Sequence, residues 1–182
     1  PLEIVTSRQW YITNGGRSAD LRDALIARGD EITWHPPYMQ ARYTNWIDGL
    51  NGDWLISRQR FFGVPLPLWY RLDGVGEPIY ADPIAPAEAS LPVDPSSDPA
   101  PGFDEVQRGQ PGGFVGDPDV MDTWATSSLT PQIACGWTVD DDLFARTYPM
   151  DMRPQAHDII RTWLFSTAVR SHLEEDRSEE HT

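Results

Sequence analysis

Two short runs in the 182-residue chain carry side chains suited to holding a charged ligand. In "DWLISRQR", Ser57, Arg58, Gln59 and Arg60 follow apolar residues, so hydrogen-bond donors stand at the polar end of one predicted buried strand. In "PQAHDIIRTWLF", His157 and Asp158 lead a helical pattern, with Ile159 next and Trp163 one turn further on. A carboxylate in the first turn suits the positive end of the helix dipole. Each run also has a plainer reading. Asp158 or His157 can cap the helix, Ile159 and Trp163 can be ordinary core, and Arg58 and Gln59 can form a hydrogen-bond network at a domain junction. A third run, "DPDVMDTWATSS", sets Trp124 behind Asp122 and Thr123, whose hydrogen bonds are expected to hold a loop.

Composition narrows the function classes. The net charge of −14 argues against nucleic-acid binding over the whole surface, because phosphate contacts need clustered Lys and Arg. It leaves room for a small basic site. Cys135 is the single cysteine, which excludes an intrachain disulfide and a cysteine-based zinc site and fits a reducing, cytoplasmic compartment. No apolar run approaches the roughly 20 residues that span a bilayer. His35 and His172 have no partner motif, and Cys135 reads as a packed thiol.

The elements that must position these runs follow from pattern. "LEIVTSRQWYI" is β-branched and alternating, hence a strand. Ser18 caps a helix over "ADLRDALIARG" that Gly29 ends. "YMQARYTNWIDGLNG" returns to helical spacing through Tyr38, Tyr43, Trp46 and Leu50, with Gly52 as its stop. Prolines, aspartates and small residues dominate Gly74 to Pro118, which reads as an irregular inserted module. Asp140–Asp142 looks like a solvated helix start. A short strand over 149–154 then precedes one long helix whose apolar face is Ile159, Ile160, Trp163, Leu164, Thr167 and Ala168. The alternation of strand, crossover and helix predicts an α/β fold with a parallel sheet.

The three quoted runs, in this order, resemble the rear half of the catalytic domain of class I aminoacyl-tRNA synthetases, and most nearly the valine-specific group. The resemblance covers residues 1 to about 176. It implies a Rossmann-type nucleotide-binding domain interrupted by an editing insertion. Residues 1–50 would return from that insertion, 51–73 would be catalytic-domain strand and bend, 74–118 the irregular module, and 119–176 the rear half with the amino-acid pocket. Residues 177–182, "RSEEHT", match the translation of a common sequencing adapter and are expected to be a non-native tail. Both ends of the chain look cut, and a sheet without its first strands is expected to be marginally stable.

By the same resemblance the reaction joins valine to ATP as valyl-adenylate and then transfers the valyl group to tRNA(Val), with Mg²⁺ accompanying ATP. Trp124, Ile159 and Trp163 would line the valine pocket and Asp158 would face the ammonium. Arg58, Gln59 and His157 would reach the adenylate or the tRNA end. The complete enzyme would be monomeric and independent of membranes. The chain departs from its family in lacking the cysteine-rich zinc knuckle that several relatives carry over 74–118, so no zinc is expected. It also lacks His-Ile-Gly-His and Lys-Met-Ser-Lys-Ser, so the polypeptide alone is expected to be inert. Two alternatives remain: an isoleucine-specific relative, or an aromatic-rich binding module with Trp124 and Trp163 at its surface.

Overall fold

The computed structural model describes residues 7–175, which form two compact units: 7–56 with 122–175, and 57–121. The expected tail at 177–182 and the start of the first predicted strand lie outside the described residues. All paired strands among the described residues run antiparallel, so no parallel ladder forms there. The strands are short, and each finds its partner through a hairpin or a chain return instead of a βαβ crossover.

The first unit opens with β1 (Tyr11–Ile12) and α1 (Ala19–Asp30). Ser18 caps α1 as expected, its side chain accepting from the Leu21 N–H at 3.3 Å. Gly29 does not end this helix. It lies inside it, where a Cβ would stand 2.6 Å from Tyr43 Cε1, so its role is close approach to α2 (Gln40–Asp48). The turn Pro37–Met39 leads into α2, and Gly49 ends it, three residues before the expected stop. Gly52 instead faces Gly16 across β1 and β2 (Trp54–Leu55): a Cβ on Gly16 would meet the Gly52 carbonyl oxygen at 2.0 Å. Arg22 holds the same place, donating to the carbonyls of Gly15, Gly16 and Leu50. Because the obstacle is backbone, Gly16→Ala is expected to destabilise the unit by about 1–3 kcal/mol. Urea unfolding measures this, and an unchanged midpoint contradicts it.

The predicted strand "DWLISRQR" is in fact two. Trp54–Leu55 pairs with β1, whereas β3 (Ser57–Arg58) belongs to the second unit and pairs with β7 (Val120–Met121). Between them lie β4 (Trp69–Leu72), β5 (Pro78–Ile84) and β6 (Phe114–Gly116), in sheet order β5-β4-β6. The segment expected to be irregular therefore supplies two of these three strands. It also contributes to a small core of Trp69, Ala100 and Phe114. β5 tolerates Pro78 and Pro83 because it is an edge strand.

The first unit resumes with α3 (Thr123–Ser127), α4 (Thr130–Ala134), α5 (Asp141–Thr147) and α6 (Trp163–Glu175). Asp140 caps α5, accepting from the Leu143 N–H at 2.9 Å, as the acidic run suggests. Cys135 is buried and its thiol donates to the Thr147 carbonyl, a packed thiol. Residues 149–154 contain no named strand. The core gathers Leu25 from α1, Tyr43 and Ile47 from α2, and Ile160, Leu164, Phe165, Ala168 and Val169 from the last segment. Tyr43 is fully buried, with its hydroxyl donating to the Leu25 carbonyl at 2.9 Å.

Candidate functional site

The site begins with a break in the last helix. The sequence pattern predicts one helix through Asp158, Ile159 and Trp163. The structure places His157–Arg161 in a 3₁₀ turn, and Thr162 (φ −121°, ψ −80°) separates this turn from α6. Asp158 and Ile159 therefore precede α6 instead of forming its first turn, and Trp163 begins it. A period-3.6 reading cannot see such a break, because apolar residues continue through it in near-helical register. The turn has no side-chain cap, so neither His157 nor Asp158 caps it. Asp158 is exposed, Ile159 half-buried and Ile160 buried.

Trp163 is held on three sides. Its indole N–H donates to the Ser127 carbonyl on α3 at 2.7 Å. The Arg153 guanidinium lies 3.9 Å from its ring centroid. Arg153 also donates to Thr167 Oγ1 at 2.8 Å, and this hydroxyl donates to the Trp163 carbonyl. Trp124 sits on α3, the helix that carries Ser127. Asp122 caps α3 with a 3.4 Å contact from the Trp124 N–H and accepts from the Trp54 indole at 3.0 Å. That is the loop-stabilising role expected of it. The structure thus joins the helices of Trp124 and Trp163 directly, with Asp158 and Ile159 on the turn before the second. Both indoles are half-buried, not the open stacking surface that the binding-module alternative requires.

A cleft of about 820 Å³ in the same unit is lined by Trp34, His35, Met39, Arg153, Gln155 and His157, among others. It is within the size range of ligand pockets. Gln155 Oε1 is buried beside it with no hydrogen-bond partner among the described residues. His157 faces this cleft, whereas Trp124, Asp158, Ile159 and Trp163 do not line it. Arg58 and Gln59 belong to the second unit. Arg58 donates to the Ser57 carbonyl at 3.0 Å and Gln59 to Asp119 at 2.8 Å. His172 accepts from Arg28 at 3.2 Å, a packing role. Sequence reading missed Arg153, Gln155 and His35. The signal for Arg153 was its place ten residues before Trp163 in a proline-bounded extended run, which no periodicity marks. Among the described residues, no group of three or more His, Cys, Asp or Glu could hold a metal ion. No helix there is long and apolar enough to cross a membrane.

Residues 3–177 match the family model of tRNA synthetases class I (I, L, M and V), and the chain belongs to that family. Within it, the chain is 70% identical to the valine–tRNA ligase of Salinispora tropica over 174 residues. It is 69% identical to that of Thermobifida fusca over 176 residues, and 67% identical to that of Cutibacterium acnes over 174. These alignments cover 96% or 97% of this chain and 20% of each relative, so the chain spans about a fifth of their length.

Proposed function

We propose that this chain is part of the catalytic domain of a valine–tRNA ligase, which activates valine with ATP and transfers it to tRNA(Val) for protein synthesis in the cytoplasm. The observation that carries the reading is 70% identity to a valine–tRNA ligase, sustained over 96% of the chain. In this reading the domain is Rossmann-type and acts within a monomeric enzyme. Residues 1–50 return from an editing insertion, and 119–176 hold the amino-acid pocket.

Adenylate formation asks little covalent work of side chains; it needs the valine carboxylate held in line with the α-phosphate and charge stabilised there. Asp158 pairs with the valine ammonium. Trp124, Ile159 and Trp163 wall the side-chain pocket, and the clamp of Ser127, Arg153 and Thr167 on Trp163 keeps that wall from yielding to a larger substrate. His157 meets the adenylate from the 820 Å³ cleft. Arg58 and Gln59 contact the adenylate or the tRNA end. Mg²⁺ arrives on the ATP phosphates as part of the substrate. An apolar pocket gains only about 1–3 kcal/mol per methylene and rejects threonine about 10²-fold, a value established for the valine enzymes themselves. Hydrolytic editing supplies the rest.

The test is an exchange of segments. This chain replaces the matching fifth of the Salinispora tropica enzyme, and amino-acid-dependent exchange of pyrophosphate into ATP is measured. Valine-dependent exchange well above that with isoleucine is expected. A folded chimera that prefers isoleucine, or exchanges with neither, overturns the reading. The 182-residue chain by itself is expected to show no exchange.

A further inference from the structure

Two arginines of the first unit stand apart from the others. Arg17, Arg28, Arg146 and Arg170 each pair with a carboxylate, and Arg22 is spent on three carbonyls. Among the described residues, Arg42 and Arg161 have neither an acidic partner nor a hydrogen bond, although the chain carries 28 acidic residues. They share one place. Arg42, Asn45 and Trp46 fall at i, i+3 and i+4 of α2, hence on one face, and Arg161 ends the 3₁₀ turn opposite. Together these four residues line an open hollow of about 450 Å³. Arg161 is set there by the Trp46 ring, with its guanidinium carbon 5.8 Å from the centroid.

The donors in this hollow are costly as they stand. Arg42 Nε and the Trp46 indole nitrogen are both buried with no hydrogen-bond partner. A buried donor left unsatisfied costs about 1–3 kcal/mol, and more when it is charged. The two guanidiniums and the Asn45 amide line one hollow, and neither guanidinium has an acidic partner among the described residues. What is missing is an oxyanion. Guanidinium forks match phosphate oxygens two at a time, and the Asn45 amide can serve a remaining oxygen or a ribose hydroxyl. The hollow is open on one side, which suits a polymer lying across it more than an enclosed metabolite.

We propose that Arg42, Asn45, Trp46 and Arg161 form a phosphate site that holds a backbone phosphate of an RNA strand. The oxyanion chemistry rests on the donors alone, and the choice of RNA rests on the synthetase reading above. This site explains how so acidic a chain can meet RNA at one point while repelling it elsewhere: it concentrates two uncompensated positive charges where phosphate lands. It also explains why the arginines persist unpaired, since a carboxylate partner would occupy the hollow.

The experiment titrates the 182-residue chain, its tryptophans ¹⁵N-labelled, with a tRNA(Val) transcript and separately with inorganic phosphate. The Trp46 indole N–H resonance is expected to shift with the transcript. Arg42→Gln with Arg161→Gln is expected to weaken binding at least tenfold and to flatten the salt dependence by about one phosphate contact. Arg42→Lys with Arg161→Lys should keep most of that salt dependence. Equal affinity of wild type and the Gln pair, or an unmoved Trp46 resonance, overturns the site. Displacement of the transcript by equimolar inorganic phosphate overturns RNA as its ligand. Arg42→Met alone is expected to leave the ligand-free melting temperature unchanged or raise it, whereas marked destabilisation assigns Arg42 to packing and overturns the proposal. If the Gln pair fails to fold, Arg161→Gln, at an exposed position, carries the binding comparison. None of these readouts uses valine or ATP, so a failed segment exchange and a failed phosphate site are told apart.

Discussion

Asp158→Asn, carried into a complete valine–tRNA ligase by the segment exchange, is expected to raise KM for valine about 10²-fold and to leave KM for ATP within about twofold. The carboxylate is proposed to meet the valine ammonium, and truncating one member of a desolvated charge pair costs about 2–5 kcal/mol. About 2.7 kcal/mol is a hundredfold. An exposed pair is worth about 1 kcal/mol or less, and Asp158 is exposed in the chain by itself. The size of the effect therefore reports whether the pocket closes around the ammonium. Asparagine keeps the shape and no cap is lost, since the carboxylate caps nothing in the 3₁₀ turn. The preference for valine over isoleucine should not change, because Asp158 sees only the common end of the two amino acids. Trp163→Phe should do the reverse, removing the bond to the Ser127 carbonyl and eroding that preference with a smaller change in KM. Pyrophosphate-exchange kinetics separate these outcomes. A fall in kcat with KM unchanged in Asp158→Asn would assign the residue another role.

How much of this was legible in the sequence depends on the length scale of each signal. The cap at Ser18, the cap at Asp140 and the helix over 19–30 are local, and the local pattern finds them. Gly29 was misread as a stop because what fixes it is distant in sequence, the Tyr43 ring pressing on it; Gly52 was misread because Gly49 already ends α2, and the Gly52 carbonyl instead constrains Gly16. The split of "DWLISRQR" is likewise invisible locally, since Trp54–Leu55 and Ser57–Arg58 are both strand-like and only their partners differ. In 74–118, prolines on an edge strand and a register shift between Tyr70 and Leu72 erase the period-2 signal, so a real sheet reads as coil.

The candidate pocket shows the same division. The proposal that Trp124, Asp158, Ile159 and Trp163 share a pocket came from resemblance, because no spacing links 124 to 163. What the fold adds is the means by which the Trp163 indole is held, above all the Ser127 bond and the Arg153 stack. Arg42, Asn45 and Trp46 were in principle readable at i, i+3 and i+4. Their partner Arg161 was not, because it reaches them only through the break at Thr162 that the pattern smoothed over.

Arg108→Met is expected to destabilise the 57–121 unit by about 2–4 kcal/mol. This one side chain does the work of a cross-link in a module of little apolar core. It donates to the carbonyls of Pro95 and Asp98, both at 2.7 Å, and its guanidinium carbon lies 4.9 Å from the Phe114 centroid. A hydrogen bond from a charged donor contributes about 1.5–3 kcal/mol, and a cation over a ring about 0.5–2, the more so over a buried ring such as Phe114. Methionine keeps the length and loses every donor. The Asp98 carbonyl also accepts from the Trp69 indole at 3.0 Å, so Trp69 fluorescence reports the loosening directly. Arg108→Lys should recover only part of the loss, since an ammonium cannot serve Pro95, Asp98 and Glu105 in one plane. Acid supplies a second check. Arg108 donates to Glu105 and holds its carboxyl below the usual range; the Glu77 and Val75 N–H groups do so for Asp73, and Ser96 for Asp94. A depressed carboxyl gives stability that is whole above its ordinary value and is lost as pH falls through the depressed one. The wild-type unit should therefore lose stability on acidification below the ordinary carboxylate range. Without its guanidinium partner, the Glu105 share is absent at every pH. The gap between wild type and Arg108→Met should accordingly narrow as pH falls. Parallel unfolding curves with equal midpoints at neutral pH would show that the sheet, and not Arg108, holds this module together.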